Sequence, residues 1–440
     1  MAPEFVLAAT GFAVLLGLIA LRAPIALAML LVGAAGYVHI LDWNALANYL
    51  KTTPYHLFAN YTLSIIPLFI LMGALAERGG LARDLFSAAN ALLGRRPGGL
   101  AMSVIGASAA FGAVCGSSVA TTATFGRAAL PELLRFGYAP GFATGTIAVG
   151  GTLGILIPPS VILVIYAIST EQNVAKLFMA ALIPGVIAAL LYLACIALWM
   201  RLRPGLGPAA PPLEAGERAR AFRNVLPVLL IALLVVGGIY GGVFTPTESA
   251  AVGCVLVLAL GLARRSLPWR EVKAALLATA ETTAMIFAIL LGAEVFNAFL
   301  ALSQAPDLLS IWVTEQDFPP YGVLLVLLLT YLVLGAVMDE LAMILLTLPV
   351  FFPVITALDF GMTTEETAIW FGVLVLVVVG IGLTAPPVGL NVFVISAIAR
   401  NVPITRTYAG VLPFLATDLL RLALCVAFPA LSLWLVRLLT

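Results

Sequence analysis

Asp339 and Glu340 stand side by side in a stretch with no other charge between Asp317 and Asp359. An acid at the centre of a bilayer costs about 2.5–3.5 kcal/mol on insertion scales, so such a pair is a functional candidate by default. A second cluster, Cys115-Gly116-Ser117-Ser118 followed by Thr121-Thr122, sets hydroxyls and flexible backbone in an apolar field. Close helix packing is the other common use of such small residues. Two more elements, GGTLGILIPPS (150–160) and GIGLTAPPVGLN (380–391), interrupt apolar segments with glycine and paired proline. Proline lacks an N–H and disfavours helix at the residue before it, while glycine permits unusual φ. Non-helical backbone at membrane depth survives only where it is buried in protein or lines a cavity. Unwound carbonyls suit a small cation such as Na⁺, and half-helix N-termini suit an anion. Other chemistries are poorly supplied. The only histidines are His39 and His56, and no HExxH or GxSxG motif occurs. Cys115, Cys195, Cys254 and Cys425 lie in apolar runs without CxxC spacing, which argues against disulfides and zinc.

The elements that hold these residues must be membrane helices. Of 440 residues, 62% are hydrophobic and 10% charged, whereas soluble domains run at about 45–50% and about 25%. A mean hydropathy of +1.13 exceeds what one water-soluble core hides. The net charge of +1 leaves no footprint for nucleic acid. Glu4 precedes the first apolar run and Arg22 follows it, which predicts a first helix (roughly 4–21) entering from outside rather than a cleaved signal. Basic residues cluster at Arg78–Arg96, at Arg201–Arg223, at Arg264–Lys273, and at Arg400 with Arg406; the connections 302–320 and 356–367 are acidic. Basic connections are expected on the cytoplasmic side. The stretch 42–55 is too polar to cross and reads as interfacial, with Trp43 and Tyr49 as anchors. Glu248, after Pro246, fits the first turn of a helix.

Two apolar runs fit poorly as simple crossings. The run 97–127 has Arg95 and Arg96 before it and Arg127 and Arg135 at its end, with Gly116-Ser117-Ser118 in its middle. Its halves, about a dozen residues each, fall short of the roughly 20 needed to span. It is expected to be a re-entrant hairpin opening to the cytoplasm. The run 321–357 is its mirror, flanked by acids and broken at Asp339-Glu340. Each half then holds about five crossings and one hairpin, an odd count that inverts the second half, as in secondary transporters. Internal echoes recur at nearly constant separation: Ala23-Pro24 with Thr245-Pro246, Gly112-Ala113-Val114 with Gly335-Ala336-Val337, Pro158-Pro159 with Pro386-Pro387, and Asn173-Val174 with Asn401-Val402. The expected fold is all-α and polytopic, an inverted-topology repeat with two re-entrant hairpins and two interrupted helices. Residues 1–200 form the first repeat, with scaffold helices in 1–80, the hairpin at 97–127 and a broken helix at 141–169. A cytoplasmic linker spans 201–223. The second repeat spans 224–440, with scaffold helices in 224–301, the hairpin at 321–357 and a broken helix at 367–399.

Several segments, IPLFILMGALAERGG (66–80), GAVCGSSVATTATFGRAALPE (112–132), GGTLGILIPPSVILVIY (150–166), GGVFTPTESAAVG (241–253), LAMILLTLPVFFPV (341–354) and PPVGLNVFVI (386–395), resemble the large membrane subunit of tripartite ATP-independent periplasmic (TRAP) transporters. The resemblance covers essentially the whole chain. It implies an elevator-type, Na⁺-driven importer of an organic acid, a C4-dicarboxylate or related carboxylate, in the bacterial inner membrane. It also implies two partners: a periplasmic binding protein that delivers substrate, and a small four-helix membrane subunit, expected as a separate chain. Substrate and ion positions carried over are Gly116, Ser117, Ser118, Gly150, Gly151, Thr152, Gly154 and Pro158 in the first half. In the second they are Asp339, Glu340, Gly380, Gly382, Thr384, Pro386 and Asn391. Na⁺ is expected around Ser117, Ser118 and Gly151, and again around Asp339, Gly382 and Thr384. The chain departs from the family pattern at Gly380, usually glutamate, at Glu340, usually small and polar, and at Ala385, usually threonine. Two readings of Glu340 stay open: it restores the charge or hydrogen bonding that Gly380 lacks, or it reaches water at the hairpin mouth or pairs with an unrelated buried group. A stand-alone Na⁺/carboxylate symporter and a channel are the competing readings. No enzyme activity is expected, and neither is an organic cofactor.

Overall fold

The computed structural model describes residues 3–209 and 214–439. Among the described residues there are helices and no strand. The first half runs α1 (Pro3–Ala20), α2 (Ile25–Ile40), α3 (Trp43–Phe58), α4 (Ile65–Arg78) and α5 (Leu81–Leu93). It continues as α6 (Gly99–Cys115), α7 (Ser118–Ala128), α8 (Leu130–Arg135), α9 (Pro140–Leu156), α10 (Val161–Ser169) and α11 (Val174–Leu202). The second half runs α12 (Ala215–Tyr240), α13 (Pro246–Ala263), α14 (Trp269–Leu302), α15 (Ala305–Glu315) and α16 (Pro320–Gly335). It ends with α17 (Glu340–Ala357), α18 (Thr364–Gly382), α19 (Leu390–Ile398), α20 (Ile404–Ala427) and α21 (Ala430–Leu439). Eight of the described helices are long and apolar enough to cross a membrane, or nine when α9 and α10, bent by 44°, count as one broken span.

Packing between the halves is reciprocal. Helix α2 lies along α14 while α13 lies along α4; α5 meets α12 while α1 meets α15; α7 meets α19 while α10 meets α17. An arrangement in which each element touches its partner's counterpart exchanges the two halves, which is the property of a two-fold axis. Helices α9 and α18 sit at the centre. Every residue from Phe142 to Leu156 and from Thr367 to Gly382 is buried, as expected of helices apolar on all faces. Leucines 226, 229, 230, 233 and 234 of α12 are exposed instead.

Local chemistry explains most boundaries. Asp42 caps α3, its carboxylate accepting from Ala45 N at 2.7 Å. Thr245 and Glu248 form a capping box at the start of α13, with Thr245 N donating to Glu248 at 2.8 Å. Trp43 is exposed, but Tyr49 points inward and its hydroxyl lies 3.4 Å from Glu294 on α14. Two sequence expectations need correction. The non-helical connection is shorter than 201–223, because α11 continues to Leu202 and α12 begins at Ala215. Glu214 N donates to Glu217 at 3.3 Å, closing that first turn, and the arginines that follow are good helix formers. Residues 210–213 of this connection lie outside the described residues. The hairpin arms are also not uniformly short: α6 has 17 residues and α17 has 18. Ion pairs join the first and third basic clusters on one face, with Arg78 2.8 Å from Glu271 and Arg264 2.6 Å from Asp84. Burial raises the Asp84 carboxyl above its usual range, and the Arg264 guanidinium offsets only part of that.

Candidate functional site

Each hairpin tip is a break with its own cap. After α6, Gly116 takes φ +65°, which a glycine adopts without strain, and Ser117 is extended. The Ser117 hydroxyl then accepts from Ala120 N at 3.3 Å, and Thr121 Oγ1 donates to Ser117 O at 2.7 Å. A single tilted helix through this run is therefore excluded. At the second tip Asp339 is extended and caps α17, accepting from Leu341 N at 3.3 Å. Glu340 follows, with its Oε2 buried and without a hydrogen-bond partner.

Each interrupted helix is bonded to its own tip. Helix α9 ends at Leu156; Pro158-Pro159 is cis; Ser160 caps α10, accepting from Leu163 N at 3.5 Å. Val161 N reaches Gly116 O at 3.5 Å. Helix α18 ends at Gly382; Thr384 donates to Ile381 O at 3.1 Å; Pro386-Pro387 is cis. Val388 N donates to Ala336 O at 3.2 Å, which ties the second break to the end of its own hairpin arm. Gly382 packs backbone to backbone on Gly335, where a methyl would come within 2.6 Å of the Gly335 carbonyl carbon.

The halves also meet. Asn391, at the start of α19, donates through Nδ2 to Ser118 Oγ at 2.7 Å and to Ala148 O at 3.0 Å. Asn391 Oδ1 and Thr122 Oγ1 are buried without partners beside Gly151, where a built methyl would lie 1.8 Å from Thr122 Oγ1. Ser117, Ser118, Gly151, Gly154 and Asn391 thus converge at the first tip. Asp339, Glu340, Gly382 and Thr384 belong to the second. Gly150 faces Ser108 instead, and Gly380 faces Thr152 and Leu156 of α9, with Thr152 Cβ 3.8 Å from its built methyl. This last placement disfavours the reading in which Glu340 stands in for a carboxylate at Gly380. Positions 380 and 382 are about 200° apart around α18, and only the Gly382 side meets the second hairpin.

A cavity of about 450 Å³ lies between the tips. Gly116, Ser117, Asp339 and Glu340 line it, together with Val161 and Leu390 at the starts of the two distal half-helices. Its opposite wall is α4, through Gly73 and Glu77, and α14, through Thr282 and Met285. Glu77 is ion-paired with Arg127 at the end of α7. No lysine, arginine or histidine is among the lining residues. The donors that converge here are hydroxyl, amide, carbonyl and carboxylate oxygens, the set that suits a hard cation. Sequence reasoning missed Glu77, for which the chain carries no local signal. It also passed over Asp418 and Arg421, an acid and a base one turn apart in the apolar run PFLATDLLRLALCVAF.

Residues 12–431 match the family described as tripartite ATP-independent periplasmic transporter, DctM component. The chain belongs to this family. It is 39% identical over 375 residues to the C4-dicarboxylate TRAP transporter large permease protein DctM of Pseudomonas aeruginosa, covering 85% of this chain and 86% of that protein. It is 30% identical over 376 residues to the isethionate TRAP transporter permease protein DctMQ of Oleidesulfovibrio alaskensis, covering 85% of this chain and 58% of that protein. The YdaH transporter of Alcanivorax borkumensis, whose crystal structure is described as having an unusual topology, shares the fold. Its TM-score is 0.62 at 19% identity, over 89% of this chain and 90% of that one. The protein is a large permease subunit of a TRAP transporter, a multi-pass inner-membrane protein and not an enzyme.

Proposed function

We propose that this DctM-family permease imports an organic acid driven by Na⁺, receiving its substrate from a periplasmic binding protein beside a small membrane subunit that is a separate chain. The observation that carries the reading is the charge of the cavity between the tips. Asp339 and Glu340 line it without a cationic partner, no cationic side chain lines it, and its third acid, Glu77, is paired with Arg127. An organic anion entering such a cavity meets like charge, and buried carboxylates without a counter-charge are costly. Cations bound at the two tips resolve both problems, so substrate binds after Na⁺ and leaves when Na⁺ leaves. In this reading α6, α7, α9, α10 and α16–α19 move together against α1, α2, α4 and α12–α14, with the cavity as the seam. The Pseudomonas relative's named substrate class, a C4-dicarboxylate, and isethionate, a sulfonate, are both organic anions of this kind.

Proteoliposomes that hold the permease and its small subunit test the reading with succinate as first substrate. Concentrative uptake is expected only with both an inward Na⁺ gradient and the cognate binding protein. Uptake with the gradient alone would make the chain a stand-alone symporter. Equilibration without concentration would make it a channel.

A further inference from the structure

Asp418 and Arg421 of α20 are both sealed from solvent, at 1% and 0% exposure. They form an ion pair, Arg421 Nη2 to Asp418 Oδ1 at 2.9 Å, in which no guanidinium nitrogen has hydrogen-bond geometry. Tyr192 of α11, equally buried, donates its hydroxyl to the same Oδ1 at 2.7 Å. The Tyr192 oxygen lies 3.2 Å from Thr152 Oγ1, on the last full turn of α9 before its break. With the tyrosine proton committed to Asp418, the single Thr152 proton is shared between Val149 O at 2.7 Å and the Tyr192 oxygen at 3.2 Å. The four residues form one line from α20 through α11 to α9, and none of them lines the cavity between the tips.

An ion pair buried this deeply is weak evidence for stability, since apolar residues of the same volume often serve as well. What an apolar pair cannot do is take the tyrosine proton and so orient a hydrogen-bond chain. The far end of that chain falls on a segment that needs a hold. Residues 150–154 of α9 include Gly150, Gly151 and Gly154, a composition with weak helical preference. One face presses on the first hairpin, where methyls at 151 and 154 would lie 1.8 Å from Thr122 Oγ1 and 2.3 Å from Thr121 Oγ1. Thr152 faces away from that contact and is gripped from behind.

We propose that Asp418 and Arg421 are positioning residues: through Tyr192 and Thr152 they press the glycine face of α9 onto the first hairpin tip. They thereby set the geometry of the cation half-site at Ser117, Ser118 and Gly151. The proposal rests on the reading of that tip as a Na⁺ site.

The test measures thermal unfolding of the purified full-length chain against Na⁺, with choline holding ionic strength constant. Wild type is expected to gain stability with Na⁺ in a saturable way. Tyr192→Phe and Thr152→Val are each expected to raise the half-saturating Na⁺ about fivefold, the equivalent of one net hydrogen bond. The double variant is expected to match either single one, because both cut the same chain. Thr152→Ser, which keeps the hydroxyl, is expected to behave as wild type. Asp418→Asn keeps an acceptor for the tyrosine proton and removes only the charge, so it is expected to shift the half-saturating Na⁺ less than Tyr192→Phe. Folded Tyr192→Phe and Thr152→Val proteins with unchanged half-saturating Na⁺, whatever their stability without Na⁺, would overturn the positioning role and leave the cation site standing. A wild type indifferent to Na⁺ would overturn the cation site itself, and the proposal with it.

Discussion

Gly382→Ala is expected to reduce uptake at least tenfold without preventing assembly of the bundle. A methyl there would lie 2.6 to 2.9 Å from the carbonyl carbon, oxygen and Cα of Gly335. All three atoms are backbone, so no rotamer relieves the contact. Overpacking of this kind costs about 1–3 kcal/mol, and here the strain falls on the joint between tip and break. The Val388–Ala336 bond, beside this contact, is expected to open first. Gly154→Ala should do the same to the first joint, where the methyl would meet Thr121 Oγ1 at 2.3 Å and Ser117 O at 2.6 Å. Gly106→Ala, in the arm of the same hairpin, has nothing within 4 Å and should transport normally. Uptake per folded molecule, measured in proteoliposomes, checks all three. Normal uptake by Gly382→Ala would show that the second hairpin works without seating on its broken helix.

Asp339→Asn is expected to be comparably severe, with a higher Na⁺ requirement. Asparagine caps a helix as well as aspartate does, so α17 keeps its first turn and only the charge is lost. At about 4 Å and an effective dielectric near 20, a carboxylate attracts a monovalent cation by about 4 kcal/mol before dehydration is counted. Even a fraction of that is more than tenfold in affinity. Glu340→Gln should also raise the Na⁺ requirement, since it removes a second carboxylate charge from the cavity lining. Gly380→Glu should not rescue Glu340→Ser, because position 380 faces Thr152 across α9. Recovery of uptake in that double variant would mean that the two positions share one site after all.

The parts of the fold that were legible are those written in local chemistry. Paired proline after glycine ends α9 and α18 wherever they are placed, because a missing N–H and a restricted preceding residue act through the chain itself. The tips at Gly116-Ser117 and Asp339 were legible for a related reason: a glycine that accepts positive φ and side chains that cap a following helix declare themselves in sequence. The 201–223 connection holds more helix than its prolines and alanines suggest, because Glu214 and Glu217 start a helix inside it.

By itself, the sequence determined that the chain lives in a membrane, that it is built twice over, and where its helices break. Each of these follows from composition or from residues within a few positions of one another. Which faces of the broken helices meet which neighbours was decided only by tertiary packing. Gly380 and Gly382 differ by two positions yet serve α9 and the second hairpin respectively. Asn391 reaches across to Ser118 in the other half of the chain. Glu77 joins the cavity from α4, and Arg421 is tied through Asp418 and Tyr192 to Thr152. The reason is that a helix fixes the angle between its own side chains, whereas its rotation about its axis is set by the helices packed around it.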